Sequence, residues 1–89
     1  MPIFSQSGSE RRALRARAQS IQPSAHIGQG GIAPVLPNIL AAFTHTDLIK
    51  VHFDRHKEDK KALAAELAER TSSELVQVIG HNAVLYRPR

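Results

Sequence analysis

Apolar positions along the chain recur in two rhythms, one helical and one alternating, and the switches between them lay out its elements. From Ser9 to about Ile21 the rhythm is helical. Leu14, Ala18 and Ile21 share one stripe, Ser9 is the expected N-cap, and Glu10 lies near the positive end of the helix dipole. Pro23 ends that helix and favours an extended residue before it. Ser24 to Ile27, short and bounded by Pro23 and Gly28, predicts a buried strand. Beyond the glycine-rich GQGG of residues 28–31, the apolar residues Val35, Leu36, Ile39, Leu40, Ala42 and Phe43 occupy about 160° of a helix surface. A second helix is therefore expected to reach about Thr46, with Pro34 in its first turn and Pro37 one turn in.

Asp47 to Phe53 alternates, with Ile49, Val51 and Phe53 facing one way and Leu48, Lys50 and His52 the other, which predicts a half-buried strand. Lys57 to Thr71 is rich in Ala, Leu, Glu and Lys, the best helix formers, with Leu63 and Leu67 stacked. Glu74 to Ile79 and Ala83 to Arg87 read as a hairpin around a three-residue turn of Gly80, His81 and Asn82. The order is α-β-α-β-α-β-β. Two β-α-β crossovers imply parallel pairing with the helices on one face, and the last strand returns antiparallel. The expected fold class is α/β: a four-stranded mixed sheet with helices packed on it. Residues 9–89 read as one domain behind a flexible N-terminus at 1–8.

With three Phe and one Tyr, the core must come mainly from Leu, Ile, Val and Ala. The chain has no cysteine, which removes disulfides and thiolate metal sites. No apolar run approaches the roughly 20 residues that span a bilayer, and the first residues lack the apolar core of a secretory signal. The expectation is a soluble, cytoplasmic monomer without membrane contact. A formal charge of +4 and a pI near 10.1 predict attraction to polyanions. The cations are grouped. Arg11, Arg12 and Arg15 form an arc beside the apolar stripe of the first helix, with Arg17 on its other flank. Lys50 shares a strand face with His52, and Arg87 and Arg89 finish the chain. Lys57, Lys60 and Lys61 mix with Glu58 and Asp59 and read as a solvated face.

Gly28, Gln29, Gly30 and Gly31 are the most informative local feature, and three chemistries compete for them. Between a strand and a helix, glycine permits positive φ and lets a phosphate approach backbone amides, and the GxxG spacing clamps nucleotide backbones in KH-type domains. Gly28, Gly30 and Ala33 also satisfy the G-x-G-x-x-A dinucleotide fingerprint, with Asp47 or Asp54 as the distant acid. A domain built for a dinucleotide needs a much larger sheet, and Asp47 precedes its strand rather than following it. The third reading is a tight turn that glycine alone can make.

No catalytic pattern emerges: GxSxG, Walker A and HExxH are all absent. His52 and His56 straddle a strand end, and His26, His45 and His81 lack a metal-ligand spacing. Neither a metal, nor a cofactor, nor a small-molecule substrate is expected. The shortage of Phe, Tyr and Trp argues against base stacking of the RRM or OB kind, leaving shape and backbone recognition.

Taken together, ALRARAQSIQPSAHIGQGGI, DLIKVHF, DKKALAAELAERT and ELVQVIGHNAVLYRP closely resemble the YhbY-like proteins of the CRM domain family (chloroplast RNA splicing and ribosome maturation), over about residues 10–88. The resemblance implies a small α/β fold similar to the C-terminal domain of translation initiation factor three. It implies RNA binding without catalysis, and association of the stand-alone bacterial forms with precursors of the large ribosomal subunit. It assigns RNA contact to Gly28, Gln29, Gly30 and Gly31, beside which Arg11, Arg12, Arg15, Lys50 and Arg87 are the candidate phosphate contacts. The alternative is an adaptor that meets ribosomal proteins through an open sheet face without touching RNA. Two departures stand out. Many relatives carry Lys inside the loop, where this chain has Gln29 and Gly30, and Ile32, Ala33 and Pro34 replace a G-L-T whose Thr caps the next helix. A weaker cap costs about 1 kcal/mol, partly offset by Pro at the first helical position.

Overall fold

The computed structural model describes residues 8–88; residues 1–7 of the expected flexible N-terminus at 1–8, and Arg89, lie outside the described residues, while Gly8 already belongs to the first helix. The first helix, α1, is Gly8–Ala18, which puts Ser9 inside the first turn rather than at the cap. Its last stretch tightens into 3₁₀-type bonds, Gln19 N–H to Ala16 O at 3.3 Å and Ser20 N–H to Arg17 O at 3.2 Å. Strand β1 is Ala25–Ile27. The second helix is shorter than its apolar period suggests: a 3₁₀ turn at Ala33–Val35 precedes α2, Leu36–Ala42. Two prolines three residues apart explain this, because each lacks an N–H and each is confined to the first turn of its own helical segment. There is no side-chain cap at Ile32 or at Val35.

Strand β2 is Leu48–Phe53, and a 3₁₀ turn at Lys57–Asp59 leads into α3, Lys60–Arg70. The final hairpin is β3, Glu74–Ile79, and β4, Asn82–Tyr86. The expected three-residue turn is a two-residue turn of Gly80 and His81, because Asn82 already pairs with Ile79. Gly80, at φ +58°, supplies the left-handed conformation such a tight hairpin needs.

The sheet order is β1-β2-β4-β3. Strand β1 runs parallel to β2, while β4 is antiparallel to both β2 and β3. β1, β2 and β3 therefore all point the same way, but only β1 and β2 pair in parallel, because the returning β4 inserts between β2 and β3. A register shift between Leu75 and Gln77 bends β3 against β4.

Each face of the sheet has its own core. On one, Ile39 of α2 and Leu67 of α3 pack with Ile27, Ile49, Val51, Phe53 and Leu85, all fully buried. On the other, Leu14 and Ala18 of α1 cover Leu48, Val76 and Val84, with Ile21 and Tyr86 closing the margin. The fold class is the one expected from the rhythm: among the described residues, three α-helices and a four-stranded mixed sheet.

Candidate nucleic-acid interface

Because β1, β2 and β3 are co-directional, the connections that leave their carboxyl ends gather at one end of the sheet. These are the glycine turn after β1, residues 54–59 after β2, and the Gly80–His81 turn after β3. Hydrogen bonds tie them together. The Asp54 and Arg55 amides both donate to Ile27 O at 3.0 Å, and Phe53 N–H donates to His81 O at 2.7 Å. His56 Nε2–H donates to Gln29 O at 3.1 Å, and the Lys60 ammonium donates to Gly80 O. His56 holds a left-handed conformation, φ +58°, that aims its ring back at the glycine turn.

The turn itself closes through Gly31 N–H to Gly28 O at 3.1 Å. Gln29 and Gly30 are exposed, and among the described residues their amides meet no acceptor. Each glycine is there for a different reason. Gly31, at φ +78°, needs the left-handed region; a Cβ on Gly30 would stand 3.0 Å from Pro34 Cγ; a Cβ on Gly28 would meet nothing within 4 Å. Neither sterics nor backbone conformation demands glycine at residue 28. The helix that follows is only seven residues long and begins after a 3₁₀ turn, so the anion affinity expected from a helix start is not part of this geometry.

The basic residues named from the sequence do not form one continuous track. Arg11 donates to Glu74 Oε1 at 3.0 Å and to Val76 O at 3.2 Å, bracing α1 against the amino end of β3. Arg17 donates to Asp47 Oδ1 at 2.8 Å, and that bond holds its guanidinium protonated beyond the ordinary range. The Arg87 amide donates to Asp47 O at 2.8 Å, placing Arg87 at the same end as those two pairs. Asp47 precedes Phe53 by six positions, about 20 Å of strand from the glycine turn. Arg12 is exposed and Arg15 half-buried on α1. Lys50 is half-buried on the α1 side of the sheet, two positions from His52.

Several residues at the loop end were not singled out by the sequence. Lys57 and Lys60, assigned above to a solvated face, stand close enough to His81 to act on it. Loss of hydration first, then their positive charge and that of His52, holds its imidazole below the ordinary value. Three histidine rings also meet here: His26 and His52 have centroids 5.6 Å apart at 60°, and His52 and His81 are 6.4 Å apart at 85°. Asp54 Oδ1 lies 3.4 Å from His26 Nδ1 and 3.5 Å from His52 Nε2. No group of three or more His, Asp or Glu among the described residues is arranged to hold a metal ion. No described helix is long and apolar enough to cross a membrane.

Comparison with known proteins agrees with this architecture. A solved structure of Staphylococcus aureus SAV1595 superposes with a TM-score of 0.80 at 44% identity, covering 93% of this chain and 88% of that one. The chain is 35% identical over 82 residues to the Bacillus subtilis probable RNA-binding protein YqeI, covering 90% of this chain and 85% of that protein. It is 33% identical over 81 residues to an RNA-binding protein of Haemophilus influenzae, covering 89% and 82%. Against the probable RNA-binding protein MJ0652 of Methanocaldococcus jannaschii the identity is 34% over 85 residues, spanning 92% of this chain and 63% of that protein. The CRS1 / YhbY (CRM) domain model matches residues 7–87, nearly the whole chain, and the protein belongs to that family.

Proposed function

We propose that this protein binds RNA by holding the phosphate backbone at the glycine turn, and that its target is ribosomal RNA in precursors of the large ribosomal subunit. The observation that carries the reading is the Gly28–Gly31 turn, whose exposed Gln29 and Gly30 amides are without acceptors among the described residues, at the sheet end that also carries Lys57 and Lys60. Bare amides and nearby cations are the chemistry that a polyphosphate strand satisfies. Family membership and three relatives named as RNA-binding proteins support it. From the turn, the strand runs over Lys50 toward Arg15 and Arg12 on α1. Arg11 and Arg87, at the opposite end, meet only an RNA long enough to reach them. At the turn and along these cations recognition is by shape and backbone charge, with binding rather than catalysis as the activity.

Binding to naked ribosomal RNA, measured by gel shift across a salt series, tests this directly. Affinity is expected to fall steeply with salt as counterions are released. Gly28→Asp places a carboxylate where the phosphate would lie, in open space and without backbone strain. It is expected to weaken binding by at least about tenfold while leaving the circular dichroism spectrum and melting unchanged. RNA affinity indifferent to both salt and Gly28→Asp overturns the reading. Co-sedimentation with ribosomal particles without affinity for naked RNA would favour a protein adaptor instead.

A further inference from the structure

Helix α1 covers only part of its sheet face, packing on Leu48, Val76 and Val84. Among the described residues that face stays open toward the glycine turn, and one row crosses all four strands there. His26 of β1 sits beside His52 of β2, His52 beside Asn82 of β4, and Asn82 beside Ile79 of β3. Ala25, Ile27, Val51 and Phe53 point into the opposite core, so His26 and His52 must point out on this side. The row is accessible: the side chains of His26 and His52 are 57% and 33% exposed, and Ile79 is 58% exposed. His81 extends the ring surface at the hairpin, edge-on to His52.

The components of this row suit a flat, uncharged ligand better than a phosphate. Asp54 places a carboxylate 3.4 Å from His26 Nδ1 and 3.5 Å from His52 Nε2, which repels an anion. Both His26 and His52 are steered by it, and His52 Nδ1 is also within 2.9 Å of Asn82 Oδ1, so the rings are held rather than free to rotate. An exposed Ile beside ordered imidazoles offers apolar contact and stacking at once, and histidine is among the side chains on which unpaired bases stack. His26 lies two positions before Gly28, about 7 Å along the strand. A nucleotide whose phosphate rests on the turn therefore has the row within reach of its neighbour's base.

We propose that the row His26–His52–Asn82–Ile79, with His81 at its margin, is a docking platform for unpaired bases of the RNA whose backbone the glycine turn holds. The inference rests on the RNA-binding reading and narrows it to single-stranded or looped segments, because a base inside a duplex has both faces already stacked.

The test compares fluorescence anisotropy of the intact chain with a short unstructured RNA strand and with a duplex of the same sequence, for the native protein, His26→Ala/His81→Ala and His26→Tyr/His81→Tyr. Both sites are exposed, so folding should survive, which melting curves check. The alanine variant is expected to lose about tenfold in affinity for the single strand, within the range for a base stacked on one ring. Duplex binding and the salt slope should not change, and the tyrosine variant should recover the single-strand affinity. Equal losses on strand and duplex, or rescue by His26→Lys/His81→Lys but not by tyrosine, would mean a charged patch and overturn the platform alone. A native protein that binds neither RNA overturns the RNA-binding reading and the platform with it.

Discussion

Ser72 adopts φ +54° two positions past the end of α3, just beyond the cap residue Thr71, where its amide donates to Glu69 O at 3.3 Å and the Ser73 amide donates to Ala68 O at 2.8 Å. This pair of bonds is the Schellman arrangement, in which the left-handed residue is ordinarily glycine. A Cβ there costs about 1 kcal/mol, and glycine gives part of that back through the freedom it adds to the unfolded chain. Ser72→Gly is therefore expected to raise stability by several tenths of a kcal/mol, read by urea denaturation. Arg11 and Arg12 are neighbours with different work. Arg11→Ala leaves the Glu74 carboxylate, whose Oε2 is buried without a hydrogen bond, without its ion pair, and should cost about 1–2 kcal/mol of stability. Arg12 is exposed, so Arg12→Ala should leave the urea midpoint unchanged and reduce only RNA affinity.

Among the elements, the loops at the carboxyl ends of β1, β2 and β3 behave as one unit because each is bonded to another. His81 gives that unit a pH signature. Its folded imidazole titrates below the ordinary 6.5, so under that pH the unfolded chain takes up the proton first. Stability contributed at neutral pH is lost as pH falls from about 6.5 through the lower folded value, and His81→Asn should remove this part of the acid sensitivity. As pH falls through that window, the denaturation midpoint of the native protein should fall relative to that of His81→Asn. His56 supports the same unit from the left-handed region, and its ring bond to Gln29 O fixes the turn. His56→Ala should speed hydrogen exchange at residues 29–31 without lowering global stability by more than about 1 kcal/mol.

At the scale of the whole molecule, the two ends of the sheet divide the charge. One end holds the glycine turn with Lys57 and Lys60 by the Gly80–His81 turn, and the other holds the Arg11–Glu74 and Arg17–Asp47 pairs with Arg87. If RNA is held at the glycine end, Lys57→Ala should lower the slope of log affinity against log salt by about 1. Arg87→Ala, tested with a short RNA, should leave the slope unchanged.

The rhythm of apolar residues determined the elements, because helix and strand periods are local properties of the chain. GQGG determined an exposed turn, because Gly31 needs a backbone that side chains rarely adopt and the neighbouring segments supply its boundaries. Element ends were less legible. The prolines at 34 and 37 shortened α2, and Asn82 joined β4 through pairing across strands, which no local period encodes. Only the tertiary structure decided which charges are engaged and which rings meet. Arg11 looked like any other residue of a basic arc until Glu74, far along the chain, came to lie beside it. His26, His52, Asn82 and Ile79 align only because β4 inserts between β2 and β3 in one register. The physical reason is range: turns and periods are set by neighbouring residues, whereas a row across a sheet is set by strand order, which the whole core selects.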